Sequence, residues 1–448
     1  MSRGNSFTKN KKNITAVFCI LLFAACLYTY ALWRIPTNIT GDESVYLESV
    51  YQIFFNKHGV SPFELLGDRS QPALNFYWMA LWIKIFGLQH AVLAMRFSTT
   101  VTSFIFIAVF FFILRRRSSV FISTITILLF ATNVLYINFS RAGWFNIGAM
   151  LLGTLMIFFL EIAVKENKKK WFLVAGFFAG IACYGYFAGK IYPVVGITYL
   201  AWRYVKTHSK QKLQQFGYFF VVFFLTILPL VFTVLGNMNI YFFRPRTVFI
   251  FSQNDTKIVE TFLDQTRKVM QGFVLFDGSV MGNGRENLRY FPESTPIIDL
   301  FTALCFFIGA FLCMYHKKES LWGITYIFGL LFLGVLTVDA PNLARLLVTL
   351  PCIYLFSTYG ILYIYNRIQI ISGRNIALIF VTLVCMLVIT FNTQKYFIWA
   401  LGKENAEARQ PALSYEDFPK WQEYQIQRVL HNKYTITLYA WENIKKEY

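Results

Sequence analysis

Long apolar runs separated by short polar breaks set the pattern of this 448-residue chain. Most runs approach the ~20 residues that a helix needs to cross a bilayer. About eleven spans are predicted, over residues 15–33, 91–114, 119–138, 145–164, 171–187, 190–205, 216–235, 297–315, 321–338, 343–365 and 375–391. The ranges 171–187 and 190–205 are short, with Lys190 and Pro193 between them, and merging them would invert everything downstream. The basic residues support keeping them apart. With the N-terminus inside, every inner segment is basic: Arg3–Lys12, Arg115–Arg117, Lys165–Lys170, Arg203–Lys212, His316–Glu319 and Arg367–Arg374. The predicted fold class is an all-α polytopic membrane protein.

The outer side receives the long loops. In residues 34–90, Thr40 and Glu43 have the spacing of a capping box, so a helix is predicted to start there. Leu47, Val50, Tyr51 and Phe54 continue it at helical spacing, and Asn56–Gly59 ends it. Asp42 falls in the first turn, where the helix dipole favours the ionised carboxylate. Gln71–Trp78 leads into a second, aromatic helix that ends at Gly87 and is expected to lie in the outer interface. A second outer loop spans 236–296 and carries Arg244-Pro-Arg246 and a Gly282–Asn287 turn. The organisation is therefore a membrane domain over 1–391 and a small outer-face appendage over 392–448.

Composition agrees with a membrane chain: 56% of residues are hydrophobic and 15% charged, against roughly 25% charged in soluble proteins. The formal charge of +19 does not indicate nucleic acid, because the basic residues sit in short loops that suit anionic lipid. All seven cysteines lie in apolar segments and form neither a disulfide framework nor a metal cluster. The first apolar run follows the basic Lys9–Lys12 stretch without a cleavage site, and reads as a retained anchor.

The chemistry is first bounded by absences. No phosphate-binding G-x-x-x-x-G-K-[ST] loop, D-x-D, H-E-x-x-H or G-x-S-x-G occurs. Carboxylates are nearly missing from the spans, which disfavours a proton-coupled carrier. What remains gathers at the outer face. Arg141, Lys190 and Arg345 each stand as a lone cation at the membrane depth of Asp42, and the rival reading is that each reaches for lipid head groups. A carboxylate facing several cations at a lipid interface suits sugar transfer from a lipid phosphate. Phosphate departure needs charge stabilisation, and the incoming hydroxyl needs a base. Asp42 is the candidate base, and a single displacement would invert the anomeric centre.

These residues resemble the GT-C glycosyltransferases, closest to the protein O-mannosyltransferase and aminoarabinose transferase branch. The resemblance rests on Gly41-Asp42-Glu43, the Gln71–Trp78 helix start, Ser140–Asn146, Tyr184–Pro193, Pro296–Asp299, Asp339–Arg345 before Pro351, and Tyr396–Ala400. It covers the chain to about residue 400. It implies Asp42 as base, a polyprenyl-phosphate sugar as donor, and chemistry on the non-cytoplasmic side of a prokaryotic inner membrane. Glu43 joins the catalytic pair, as cap or as orienter of Asp42. Arg345, Lys190 and Arg141 are the donor-phosphate candidates, with Arg244 and Arg246 from the second loop. Gln71, Tyr192, Asp339 and Asn342 are the substrate-binding candidates. Gln71 replaces the Lys or His of some relatives, and Arg141-Ala-Gly replaces an acidic residue of the aminoarabinose transferases. That second departure leaves a divalent metal possible but unsupported. The expected partners are the donor lipid, an acceptor protein, lipid or glycan, and membrane lipids. Two alternatives stay open: a flippase of lipid-linked glycans, and a glycan polymerase or ligase using lipid diphosphates.

Overall fold

The computed structural model describes residues 3–67, 71–252, 258–274, 288–292, 295–338, 340–402 and 412–431. It is almost entirely helical. Helix α1 (Arg3–Thr29) precedes strand β1 (Ile39–Thr40) and helix α2 (Gly41–Phe55). Strands β2 (Leu65–Leu66) and β3 (Gln71–Pro72) pair antiparallel before α3 (Leu74–Phe86). The first bundle follows as α4 (Ala91–Arg115), α5 (Val120–Ala131), α6 (Val134–Arg141), α7 (Asn146–Glu166), α8 (Lys169–Ala182), α9 (Ile191–Thr207) and α10 (Lys210–Gly236). The second outer loop carries α11 (Met238–Val248) and α12 (Ile258–Val274). Then come α13 (Leu300–Tyr315), α14 (Ser320–Gly329) with a π-helical continuation over Leu330–Val335, α15 (Leu343–Leu346), α16 (Leu350–Ser372) and α17 (Arg374–Leu401). The tail adds β4 (Ala412–Leu413) and α18 (Phe418–Leu430).

A helix stands on each predicted span, but the count of eleven crossings is not confirmed. Among the described residues six helices are long and apolar enough to cross a membrane, or seven if α5 and α6, bent by 66°, form one span. Helices α8, α9 and α13 have 14, 17 and 16 residues, short of the ~20 that a perpendicular crossing uses. Ranges 171–187 and 190–205 are two helices, joined through a 3₁₀ turn at Phe187–Lys190. Asn133 caps α6 at the bend, and its Nδ2 donates to the Ile297 carbonyl 2.8 Å away. The exposed apolar side chains along α10 and α17, Phe224, Leu225, Phe232, Leu383 and Leu387 among them, make a surface suited to hydrocarbon.

Close backbone approach ties α13 to α16. A Cβ at Gly309 would stand 1.8 Å from the Phe356 carbonyl oxygen, and one at Gly360 would stand 2.0 Å from that of Cys305. Small residues thus let two apolar helices meet where no hydrophobic drive exists between them. The outer layer is built differently. Helix α3 ends at Gly87, whose φ of +87° supplies the turn. The tail folds back on the first loop: β4 pairs antiparallel with β1, Gln422 donates to the Tyr51 hydroxyl at 2.8 Å, and Trp421 packs beside the Tyr51 ring.

Candidate active site

The capping box forms as the sequence predicts. Thr40 is extended at the N-cap of α2, its N–H donates to Glu43 Oε2 at 2.9 Å, and the Glu43 N–H donates to Thr40 Oγ1 at 3.2 Å. The Glu43 side chain is then sealed. Arg96, one turn into α4, donates from Nε to Oε1 at 2.8 Å and from Nη2 to Oε2 at 3.3 Å. The Gly143 N–H adds a second donor to Oε1 at 3.1 Å. Arg96 also donates to the carbonyls of Leu32, Pro36 and Asn38 and, at 2.6 Å, to the Tyr415 hydroxyl from the tail. One guanidinium therefore fixes the entry to α2 on three sides. Glu43 thus caps α2, one of the two parts expected of it.

Asp42 points elsewhere. The Tyr290 hydroxyl donates to its Oδ2 at 3.3 Å. Tyr290 stands edge-on to Trp144, with centroids 5.2 Å apart, and beside Phe139. Its carbonyl accepts from Asn138 Nδ2 at 2.9 Å. An aromatic wall from α6 and the following strap thus backs the carboxylate. Tyr46, one turn further along α2, stacks on Phe145 at 4.6 Å and meets Gln71 Nε2 at 3.4 Å. Gln71 therefore belongs to the Asp42 side, through Tyr46.

The strap from Gly143 to Asn146 joins the two halves of the site. Its Gly143 end holds Glu43, and at its other end Asn146 Nδ2 donates to the Ala344 carbonyl at 2.8 Å. Three residues reach at most ~11 Å, so the start of α2 and the Asn342–Arg345 turn stand at the two ends of one short strap. Asn342 caps α15, accepting from the Arg345 N–H at 3.3 Å. Arg345 Nη1 donates to the Val338 carbonyl at 2.9 Å, and its side chain is buried. The turn Phe187–Lys190 packs against α15. Lys190 Nζ is 2.6 Å from the Tyr241 hydroxyl and lies over that ring.

Two expectations change. Arg141 is taken up by the end of α1. It is fully buried and donates to the carbonyls of Leu27, Tyr30 and Ile35, with Tyr396 and Phe397 on its faces. It anchors the end of α1, because an unpaired guanidinium at that depth finds carbonyls freed at a helix terminus. Tyr192 is not open to substrate either. Its ring fills the space beside Gly153, and its hydroxyl donates to the Val348 carbonyl at 3.0 Å. Arg246 is exposed on α11. The Arg244 side chain, Asp339 and the Gly282–Asn287 turn lie outside the described residues. Among the described residues no group of three His, Cys, Asp or Glu side chains is placed to hold a metal.

Three residues of the site were missed by sequence reasoning: Arg96, Tyr290 and Asn146. Arg96 carried a signal, since a lone arginine inside an apolar span needs a partner and the only nearby acidic pair is Asp42-Glu43. Nothing local marks Tyr290, which reaches Asp42 across 248 positions.

A family model described as dolichyl-phosphate-mannose-protein mannosyltransferase matches residues 70–232. No curated protein matches this sequence closely enough to count. The fold is similar to the oligosaccharyltransferase of Archaeoglobus fulgidus, solved tethered with an acceptor peptide containing the NVT sequon. The two share 13% identity and a TM-score of 0.58 over 94% of this chain and 59% of that one. ArnT from Cupriavidus metallidurans in the apo state is similar at 12% identity and a TM-score of 0.52, over 88% of this chain and 75% of that one. These findings bear out the polytopic helical fold, and the likeness to glycosyltransferases rests on the family model over residues 70–232. The chain spans 59% of the length of the oligosaccharyltransferase. Helix α2 precedes the matched range, so the part played by Asp42 rests on its own geometry.

Proposed function

We propose that the chain transfers a sugar from a polyprenyl phosphate to a hydroxyl of a protein, lipid or glycan acceptor, at the non-cytoplasmic face of a prokaryotic inner membrane. The observation that carries this reading is the division of labour within the acidic pair. Glu43 has both oxygens committed to Arg96, Thr40 and Gly143, whereas its neighbour Asp42 is aimed away from that cluster toward Tyr290. A carboxylate so placed is anchored by its neighbour and is positioned to act as a base.

The reaction is a single displacement. The acceptor oxygen bonds to the anomeric carbon, the bond from that carbon to the phosphate oxygen breaks, and the polyprenyl phosphate leaves with the electron pair. Asp42 takes the hydroxyl proton, and the configuration inverts. Arg345 and Lys190 meet the negative charge that grows on the departing phosphate. Orientation follows from charge: Arg115–Arg117, Lys165–Lys170 and His316–Glu319 lie at helix ends away from Asp42 and suit the inner leaflet.

Transfer from a radiolabelled polyprenyl-phosphate sugar, in membranes holding wild type or Asp42→Asn at equal amounts, tests the proposal. Loss of transfer in the variant is expected. Equal consumption of donor by both would remove Asp42 as base. Passage of lipid-linked glycan across the bilayer without any transfer would replace the proposal with a flippase.

A further inference from the structure

Helix α7 runs from the strap at Asn146 to the other side of the membrane, and Glu161 lies fifteen residues along it, about 22 Å away at 1.5 Å per residue. A second charged cluster stands there. Arg117 donates from Nε and Nη2 to the two oxygens of Glu319 at 2.8 Å each, and Nη2 also meets Glu161 Oε2. The Tyr359 hydroxyl completes Glu319 at 2.6 Å. Glu161 is left half-used. Among the described residues only its Oε2 is engaged, by Arg117 and by Trp322 Nε1 at 3.3 Å, and its side chain is 34% exposed.

That carboxylate opens into a cavity of about 250 Å³ walled by Glu161, Lys165, Tyr199, Lys318, Ser320 and Trp322, among others. Lys165 and Lys318 are exposed at its rim, and neither is held in an ion pair among the described residues. Helix α14 begins at Ser320, so first-turn N–H groups add to the lysines at that rim. The cavity therefore offers donors for an anion and, deeper in the charged cluster, an acceptor for a cation.

We propose that this cavity binds a phosphoethanolamine head group. The phosphate lies between Lys165, Lys318 and the start of α14, and the ammonium donates to Glu161. The wall discriminates among head groups. An anionic glycerol head group brings no cation for Glu161, and a choline head group has no N–H to donate to it. The position at a membrane face favours the lipid over the free phosphomonoester.

Native mass spectrometry of the full-length chain in detergent, with equal amounts of dioleoyl phosphatidylethanolamine, phosphatidylcholine and phosphatidylglycerol, tests this. The ethanolamine lipid is expected to be retained over the other two by about tenfold, the equivalent of one charge-assisted hydrogen bond. Glu161→Gln should erase that preference, and the Lys165→Ala/Lys318→Ala double variant should weaken retention of the ethanolamine lipid. The lysine pair keeps the test decisive should Glu161→Gln, which also deprives Arg117 of a partner, fail to fold. Displacement by soluble O-phosphoethanolamine would show that the head group alone is recognised. A preference that withstands it would show that the acyl chains contribute to a lipid site. Equal retention of the three lipids, or a preference unchanged in both variants, would overturn the assignment.

Discussion

Two arginines each hold carboxylates near opposite ends of α4, and they are built for different ends. Arg96 and Glu43 are both fully buried, and their donors and acceptors are spent on each other, on Thr40, on Gly143, on the 32–38 segment and on Tyr415. Around Arg117 the side chains are 6% exposed for the arginine, 11% for Glu319 and 34% for Glu161. A sealed pair can only fix geometry. A half-open one keeps a charge available to a ligand. The sealed pair stands one residue from Asp42, the proposed base, and fixed geometry is what a base requires.

The comparison breaks most visibly if the arginines are removed. Arg96→Met strands a fully buried carboxylate and should cost about 3–5 kcal/mol of stability, with loss of transfer as the start of α2 shifts. Arg117→Met, whose carboxylates reach water, should cost less, about 1.5–3 kcal/mol. Thermal unfolding of both in the same detergent checks the order, and equal losses would contradict the distinction between sealed and open clusters. Asn146→Ala cuts the link from the strap to the Ala344 carbonyl. Its expected signature is a rise of about tenfold or less in KM for the donor lipid, the worth of one hydrogen bond, with kcat little changed. Tyr415→Phe is the mildest. It removes the hydroxyl that joins Arg96 and the Pro36 carbonyl, and should lower stability by about 0.5–1.5 kcal/mol. Protease sensitivity of the tail would rise with it.

Local signals were legible in the sequence. Thr40-x-x-Glu43 and the stop at Gly87 act within a few residues, so the chain itself shows where α2 begins and where α3 ends. Long-range pairing was not. The two-residue strands β1 and β4 meet across more than 370 positions, and the tail thereby becomes a wall of the first loop. Arg345 and Arg141 both read as phosphate candidates, Arg345 first, because sequence gives the depth of a cation in the membrane but not the side to which it points. One proved to anchor the end of α1, and the other sits in the turn tied to the strap. Tyr192 reads as a polar side chain at a helix start, yet its hydroxyl is spent on Val348.

The account rests on the claim that adjacent carboxylates in α2 have separate tasks, and a paired measurement tests it most directly. Asp42→Asn and Glu43→Gln would be compared for thermal unfolding and for transfer from one labelled polyprenyl-phosphate sugar. The account predicts that Asp42→Asn unfolds like wild type but transfers about 10²–10⁴-fold more slowly, the usual contribution of a general base. Glu43→Gln should unfold at a lower temperature. Transfer at the wild-type rate by a folded Asp42→Asn protein would contradict it.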